Sequence, residues 1–95
     1  MKNGNITDFL DHLYLGEEIV FEYEGKKYFI QGWWAEDKSG ATMVLDFVEN
    51  LEFQQYLWKN NSSTMKACAE KFLATPLWDG KTFLQIQEKV IWSDW

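Results

Sequence analysis

His12 is the only histidine of the chain, and two carboxylates, Asp8 and Asp11, lie close to it in sequence. On a helix, residues four apart share a face, so Asp8 is placed to orient the imidazole or to share a cation with it. A metal site needs three or four convergent ligands, and one histidine with two surface carboxylates falls short of that number. The pattern therefore favours a solvated helix face, and we expect no metal and no other cofactor.

Nucleophile and phosphate-binding motifs are also missing from the sequence. Cys68 is the only cysteine, and it falls on the apolar stripe of a predicted helix, where a free cysteine behaves as a small hydrophobic residue. There is no Gly-x-Ser-x-Gly motif and no glycine-rich phosphate loop. Acid pairs such as Glu17–Glu18 are adjacent, so their side chains diverge on a strand instead of converging. These patterns predict a protein that is not an enzyme.

The charge of the chain is acidic and unevenly distributed. Nine lysines and no arginine oppose 15 acids, which gives a net charge of −6. Residues 1–60 contain 11 acids and 5 lysines, whereas residues 61–95 contain 4 of each. Because arginine supplies the planar fork that binds phosphates, its absence from an acidic chain argues against nucleic acid and favours a basic protein partner. The alternative is that the charge serves only solubility.

The composition predicts one folded domain over residues 1–95. A hydrophobic fraction of 46% and an aromatic fraction of 18% exclude disorder and suffice for a single core. No apolar run approaches the roughly 18 residues of a membrane span. The first residues lack the apolar core of a signal peptide. We therefore expect a cytoplasmic protein that does not contact a membrane.

A central hairpin is predicted by two runs of β-branched and aromatic residues on either side of Glu24–Gly25. Gly25 tolerates the positive φ of a tight turn, and a two-residue loop places Glu22 opposite Lys27. A shift of one residue would send every side chain to the wrong face. One face then collects Ile19, Phe21, Tyr23, Tyr28, Ile30 and Trp34. The other collects Glu18, Val20, Glu22, Lys27, Phe29, Gln31 and Trp33.

The remaining patterns predict an α+β fold. Strands are expected at about 17–24, 26–34 and 41–48, and residues 51–59 are ambiguous between strand and helix, with strand favoured. A loop is predicted at Asn60–Ser63. The predicted class is an antiparallel three- to four-stranded meander with an N-terminal helix and one or two C-terminal helices packed on it.

The predicted helices are delimited by capping residues. A helix over 6–15 is expected to start at a Thr7 cap and to end at Gly16. A second helix starts at a Ser62 or Ser63 cap and ends before Pro76, because the residue before a proline avoids helical angles. Thr82 with Gln85 is typical of a capping box for a short third helix.

Two stretches resemble a family of small acidic proteins from Gram-positive bacteria, their phages and mobile elements. They are the hairpin over residues 18–34 and the tail over residues 76–92. The resemblance implies a bacterial or phage intracellular setting and assigns no active residues. Small acidic phage proteins that block host defence nucleases, anti-CRISPRs among them, are similar in size and charge, though not in motif.

The tryptophans indicate where a partner would bind. Trp33 and Trp34 are adjacent on one strand, so their side chains leave opposite faces. The alternation of side chains along the strand places Trp34 in the core and Trp33 on the second face, with Val20 and Phe29. Either a terminal helix or the Trp92–Trp95 tail covers this second face, or it is an exposed aromatic patch rimmed by acids, as in a protein-binding hot spot.

The function predicted from these features is non-enzymatic binding to a larger basic protein, such as inhibition of a nucleic-acid enzyme. Phe29 and Trp33 would supply the apolar anchor. Four carboxylates would mimic phosphates or steer association: those of Glu22, Glu24, Glu36 and Asp37. The alternative is a homodimeric scaffold domain, in which the second sheet face or an open strand edge pairs with its own copy.

Overall fold

The computed structural model of the protein describes residues 1–53 and 55–93. Its fold is α+β, as predicted, and the helices lie on one face of an antiparallel sheet. The elements in chain order are α1 (Ile6–Leu15), β1 (Ile19–Tyr23), β2 (Lys26–Trp34), β3 (Ala41–Phe47), a 3₁₀ helix (Val48–Phe53), β4 (Trp58–Ser62), α2 (Met65–Ala74), α3 (Phe83–Ile86), a 3₁₀ turn (Gln87–Lys89) and β5 (Ile91–Ser93). No helix of the described residues is long and apolar enough to cross a membrane.

The described strands form one sheet in the order β4-β3-β2-β1-β5. The first four strands are the predicted meander, and β5 adds a strand beyond the three or four expected. It pairs with β1 through Glu22 opposite Ile91 and Val20 opposite Ser93. Lys2 joins its outer side, where the Lys2 carbonyl accepts a 2.9 Å bond from the Trp92 amide. A three-residue strand has too little periodicity to be recognised in the sequence.

The register of the β1–β2 hairpin is confirmed. Glu22 pairs with Lys27 and Ile19 with Ile30, so the loop consists of Glu24 and Gly25. Both loop residues are left-handed, with φ of 51° and 77°. This is the turn geometry that matches the twist of two antiparallel strands.

Two helix caps differ from the predicted ones. Asn5, not Thr7, caps α1, since its side chain accepts a 2.9 Å bond from the Asp8 amide. Thr64 caps α2 through a 3.1 Å bond from the Ala67 amide. Ser62 is the last residue of β4, where its backbone is engaged in the pairing with β3, so the helix starts later than predicted.

The fourth strand lies later in the chain than predicted. Residues 48–53 form a 3₁₀ helix, and β4 begins at Trp58 and continues through the asparagines that were expected to form a loop. Pairing with β3 overrides the low strand propensity of asparagine, because Asn60 lies opposite Met43 and Trp58 opposite Leu45. Gln54, inside the predicted strand, lies outside the described residues.

The core lies between the helices and the predicted inward face of the sheet. Phe9 of α1, Phe21 of β1, Phe72 of α2 and Phe83 of α3 are fully buried there. Phe9 and Phe83 stack at 4.7 Å between ring centroids, and Phe21 meets both edge-on. Cys68 is buried in the same layer, as its place on the apolar stripe predicts.

Part of the second face of the sheet is also buried. Val20, Phe29 and Asp46 form one row across β1, β2 and β3, and each is at most 6% exposed. An exposed aromatic patch over Val20 and Phe29 is therefore wrong. Trp92, in the tail predicted as a possible cover, packs against Phe9 of the core instead. Trp95, part of the tail considered as the cover, lies outside the described residues.

Trp34, at the end of β2, is not buried in the core as strand parity predicts. It points to the helix side of the sheet as predicted, yet 42% of it is exposed. A Cβ added at Gly32 would lie 2.4 Å from Met65 Sδ, so the first residue of α2 covers the sheet there. Trp34 lies two residues further along the strand, beyond the helix layer.

Candidate protein-binding surface

The predicted site residues lie at two opposite ends of the sheet. Glu22 is beside the β1–β2 turn and Glu24 is in it, whereas Glu36 and Asp37 are in the β2–β3 turn. The nine residues of β2 lie between them. At about 3.3 Å per residue, β2 separates the two pairs of carboxylates by roughly 26 Å. The four carboxylates therefore do not form one site.

One end of the sheet exposes three large apolar side chains. Trp33 and Trp34 are each 42% exposed and project from opposite faces of β2. The Gly32 amide donates a 3.0 Å hydrogen bond to the Gly16 carbonyl, which brings the preceding residue, Leu15, to the same end. Leu15 is 68% exposed. We call Leu15, Trp33, Trp34, Glu36 and Asp37 the aromatic tip.

The turn that bears the tip carboxylates is held by its own hydrogen bonds. The Ala35 amide donates to the Gly40 carbonyl and the Lys38 amide to the Ala35 carbonyl, both at 2.9 Å. Hydrogen bonds from the Ser39 side chain and amide hold the pKa of Asp37 below its usual value, and the amide bond is 3.0 Å long. Asp37 is therefore a fixed negative charge at neutral pH.

Further carboxylates lie near the tip. Glu17 and Glu18 follow Gly16 directly and are exposed. Glu17 pairs with His12 Nδ1, so Glu17 and not Asp8 orients the imidazole. Asp8 accepts a 3.1 Å bond from the Asn5 side chain instead. Among the described residues, no three histidine, cysteine or acidic side chains are grouped as metal ligands would be.

Sequence reasoning found Trp33 but missed two members of the tip. Trp34 was assigned to the core, because strand parity does not show where the helix layer ends. The sequence does contain a signal for Leu15, since it is an apolar residue off the helical stripe that contains Phe9 and Leu13. Phe29, predicted as the second anchor, is 6% exposed and lies outside the tip.

Comparison of the chain with protein-family models, with curated proteins and with solved structures finds no match.

Proposed function

We propose that this protein is a small acidic, non-enzymatic protein-binding module whose contact surface is the aromatic tip. The observation that supports the proposal is the pair of half-exposed tryptophans beside the charged turn. Tryptophan is among the residues most enriched in binding hot spots, and burial of its ring removes a large apolar area from water.

The shape of the tip favours a cleft on the partner. Trp33 and Trp34 face opposite sides of the hairpin, so a flat partner surface would bury only one of them. A groove that accepts the hairpin end would bury both. The tryptophans are on a strand paired along its length with β3, so little conformational entropy is lost when they bind.

The charge of the tip favours a basic partner. Glu36 and Asp37 outnumber Lys38 in the turn, and Glu17 and Glu18 lie at the same end of the sheet. Carboxylates arranged on a protruding hairpin can occupy a groove that otherwise holds phosphates. We therefore propose inhibition of a basic, nucleic-acid-processing protein in a bacterial or phage setting as the biological role.

The test is affinity capture from a bacterial lysate with the wild type and matched variants. Trp33→Ala, Trp34→Ala and the double variant Glu36→Lys/Asp37→Lys change the tip. Leu84→Ala changes an equally exposed apolar residue on α3, and Glu88→Lys reverses an acid outside the tip. Thermal unfolding first confirms that each variant is folded.

A basic partner retained by the wild type and both controls, and lost by the tip variants, is the expected result. Each tryptophan variant should weaken the affinity by about 30-fold, as for a hot-spot residue. The affinity should also fall as salt is raised from about 50 to about 200 mM. Equal retention by all variants would contradict the proposal.

Capture of only its own chain would support the homodimeric alternative. In that case the outer side of β4, with which no described strand pairs, is the surface to examine. Lys59 and two asparagines line that strand, and such polar side chains discourage edge-to-edge pairing.

A further inference from the structure

The end of the sheet opposite the aromatic tip contains a cavity lined by aromatic and charged residues. Its volume is about 300 Å³, and its lining includes the aromatic residues Tyr23, Tyr28, Phe47 and Trp78 and the charged residues Glu24, Lys26 and Asp79. A second cavity of about 190 Å³ shares Tyr28, Phe47 and Trp78 with it. The volume of the first cavity is at the lower end of the range of small-molecule sites.

The four rings are not parallel to one another, and one face of Tyr28 is stacked on Phe21 of the core at 5.2 Å between ring centroids. Trp78 is close to perpendicular to Tyr28 and to Tyr23, at 77° and 76°, with ring centroids 5.8 and 6.5 Å apart. Phe47 is tilted by 37° against Tyr28 at 5.0 Å. Trp78 and Tyr28 are buried, so their positions are fixed by packing, whereas Tyr23 and Phe47 are half-buried.

Two turns of the same kind place an acid beside this cavity. Glu24–Gly25 joins β1 and β2, and Asp79–Gly80 forms a tight loop between Trp78 and Lys81. The acids have φ of 51° and 50°. Glutamate is unfavourable in this left-handed region, where asparagine or glycine would be cheaper, so an acid at Glu24 has a cost in stability.

The lining of the cavity includes two acids and one lysine. Partial burial raises the pKa of Tyr23, and Glu24, which is hydrogen-bonded to the phenol, and then Asp79 raise it further. Both carboxylates thus act on the same point. A cation already lies against one wall: Lys26 Nζ is 5.1 Å from the Phe47 ring centroid, within the distance of a cation–π contact.

We propose that this cavity binds an alkylated ammonium group. Aromatic faces attract such a cation, and its methyl groups pack against the rings where a hydrated metal ion would not. Glu24 and Asp79 balance its charge. Lys26 competes for the Phe47 face and has to move aside. The group can belong to a free molecule such as choline or to a trimethylated lysine side chain. The site is separate from the aromatic tip and does not depend on the proposed function.

The test is titration of the protein with choline chloride, followed by NMR of the Trp78 indole and the backbone amides of Glu24, Lys26 and Phe47. The neutral isostere 3,3-dimethylbutan-1-ol is the control ligand, since it has the same shape without the charge. Choline should shift these signals, and the alcohol should bind at least tenfold more weakly. Absence of shifts with choline, or equal binding of the alcohol, would overturn the proposal.

Variants test the assigned residues without changing the core. Glu24→Gln and Asp79→Asn should each weaken choline binding by about two- to fivefold, as expected for exposed charges. Lys26→Gln should strengthen binding by about two- to fivefold, because it removes a competing cation. Glu88→Gln, an acid outside the cavity, should have no effect. Weaker binding by Lys26→Gln would contradict the assigned geometry.

A peptide with trimethyllysine distinguishes the two sources of the cation. Binding at least tenfold tighter than choline indicates that a protein side chain is the ligand. Binding equal to or weaker than that of choline indicates a free molecule. Failure of both to bind rejects the site, and it leaves the function of the aromatic tip unaffected.

Discussion

Asp37 shows how one side chain fixes the charge of the aromatic tip. Its carboxylate accepts from both the side chain and the amide of Ser39, and these bonds favour the ionised form. The pKa is lower in the folded protein than in the unfolded chain. The resulting contribution to stability is complete above the unfolded pKa and is lost as the pH falls through the folded one.

Ser39→Ala should therefore raise the pKa of Asp37 toward its usual value. The substitution removes the side-chain hydrogen bond, which is the largest cause of the lowering, and keeps the amide bond. An NMR titration of the Asp37 carboxyl resonance measures the change, with Ser63→Ala as the control outside the turn. The variant should also lose less stability between pH 5 and the acid limit. An unchanged titration would show that the amide alone holds the carboxylate.

Asp46 is the residue least compatible with its surroundings. It is fully buried on the second face of the sheet, and its Oδ1 accepts a 2.8 Å bond from the Phe47 amide. Its Oδ2 has no hydrogen-bond partner among the residues that the structure describes. A buried polar atom without a partner costs about 1–3 kcal/mol, so this position lowers the stability of the central sheet.

At the scale of elements, the junction of α1 with the sheet depends on the absence of a side chain at Gly16. The helix ends there with φ of 75°, and the carbonyl of the same residue accepts from the Gly32 amide. A Cβ would lie 2.6 Å from Met65 Cε, at the start of α2. One residue thus joins two helices and the central strand.

Gly16→Ala should be more destabilising than Gly25→Ala, although both positions have nearly the same positive φ. At Gly25 nothing lies within 4 Å of an added Cβ, so only the backbone strain of about 1–2 kcal/mol applies. At Gly16 the overlap with Met65 adds about 1–3 kcal/mol. Urea unfolding of both variants measures the difference. Equal losses would mean that Met65 moves aside without cost.

At the scale of the molecule, the two faces of the sheet and its two ends have different roles. The helix face forms the aromatic core, and the second face buries the row of Val20, Phe29 and Asp46. We propose that the two ends contact other molecules. One end exposes the aromatic tip, and the other contains the cavity beside the β1–β2 turn.

The reactivity of the Cys68 thiol can be used to measure global unfolding. It is fully buried between α2 and the sheet, and its Sγ lies 3.4 Å from the Ala41 carbonyl oxygen. Modification by a thiol reagent should therefore be slower in the native protein than in denaturant by a factor on the order of 10³ or more, since domains of this size unfold at about 5 kcal/mol or above. Gly16→Ala should accelerate labelling by the factor that its loss of stability predicts. Rapid labelling of the native protein would show local opening at α2.

The sequence by itself determined the features that depend on neighbouring residues. Glu24–Gly25 specified a two-residue turn, and the alternation on either side of it specified the register, because a slip would expose every apolar side chain. The end of α1 at Gly16 and the burial of Cys68 followed from the helical period in the same way. The α+β class followed from these local patterns.

Only the tertiary structure decided which residues are covered by distant parts of the chain. β5 pairs with β1 across about 70 residues of sequence, and a three-residue strand exists only because that partner is present. Trp34 is exposed because the helix layer ends at Met65. Phe29 is buried although the residues before and after it on the same face of β2 are polar. Glu24 and Asp37 are far apart because the extended strand β2 lies between them. Each of these outcomes depends on contacts between elements, which the period of one segment does not specify.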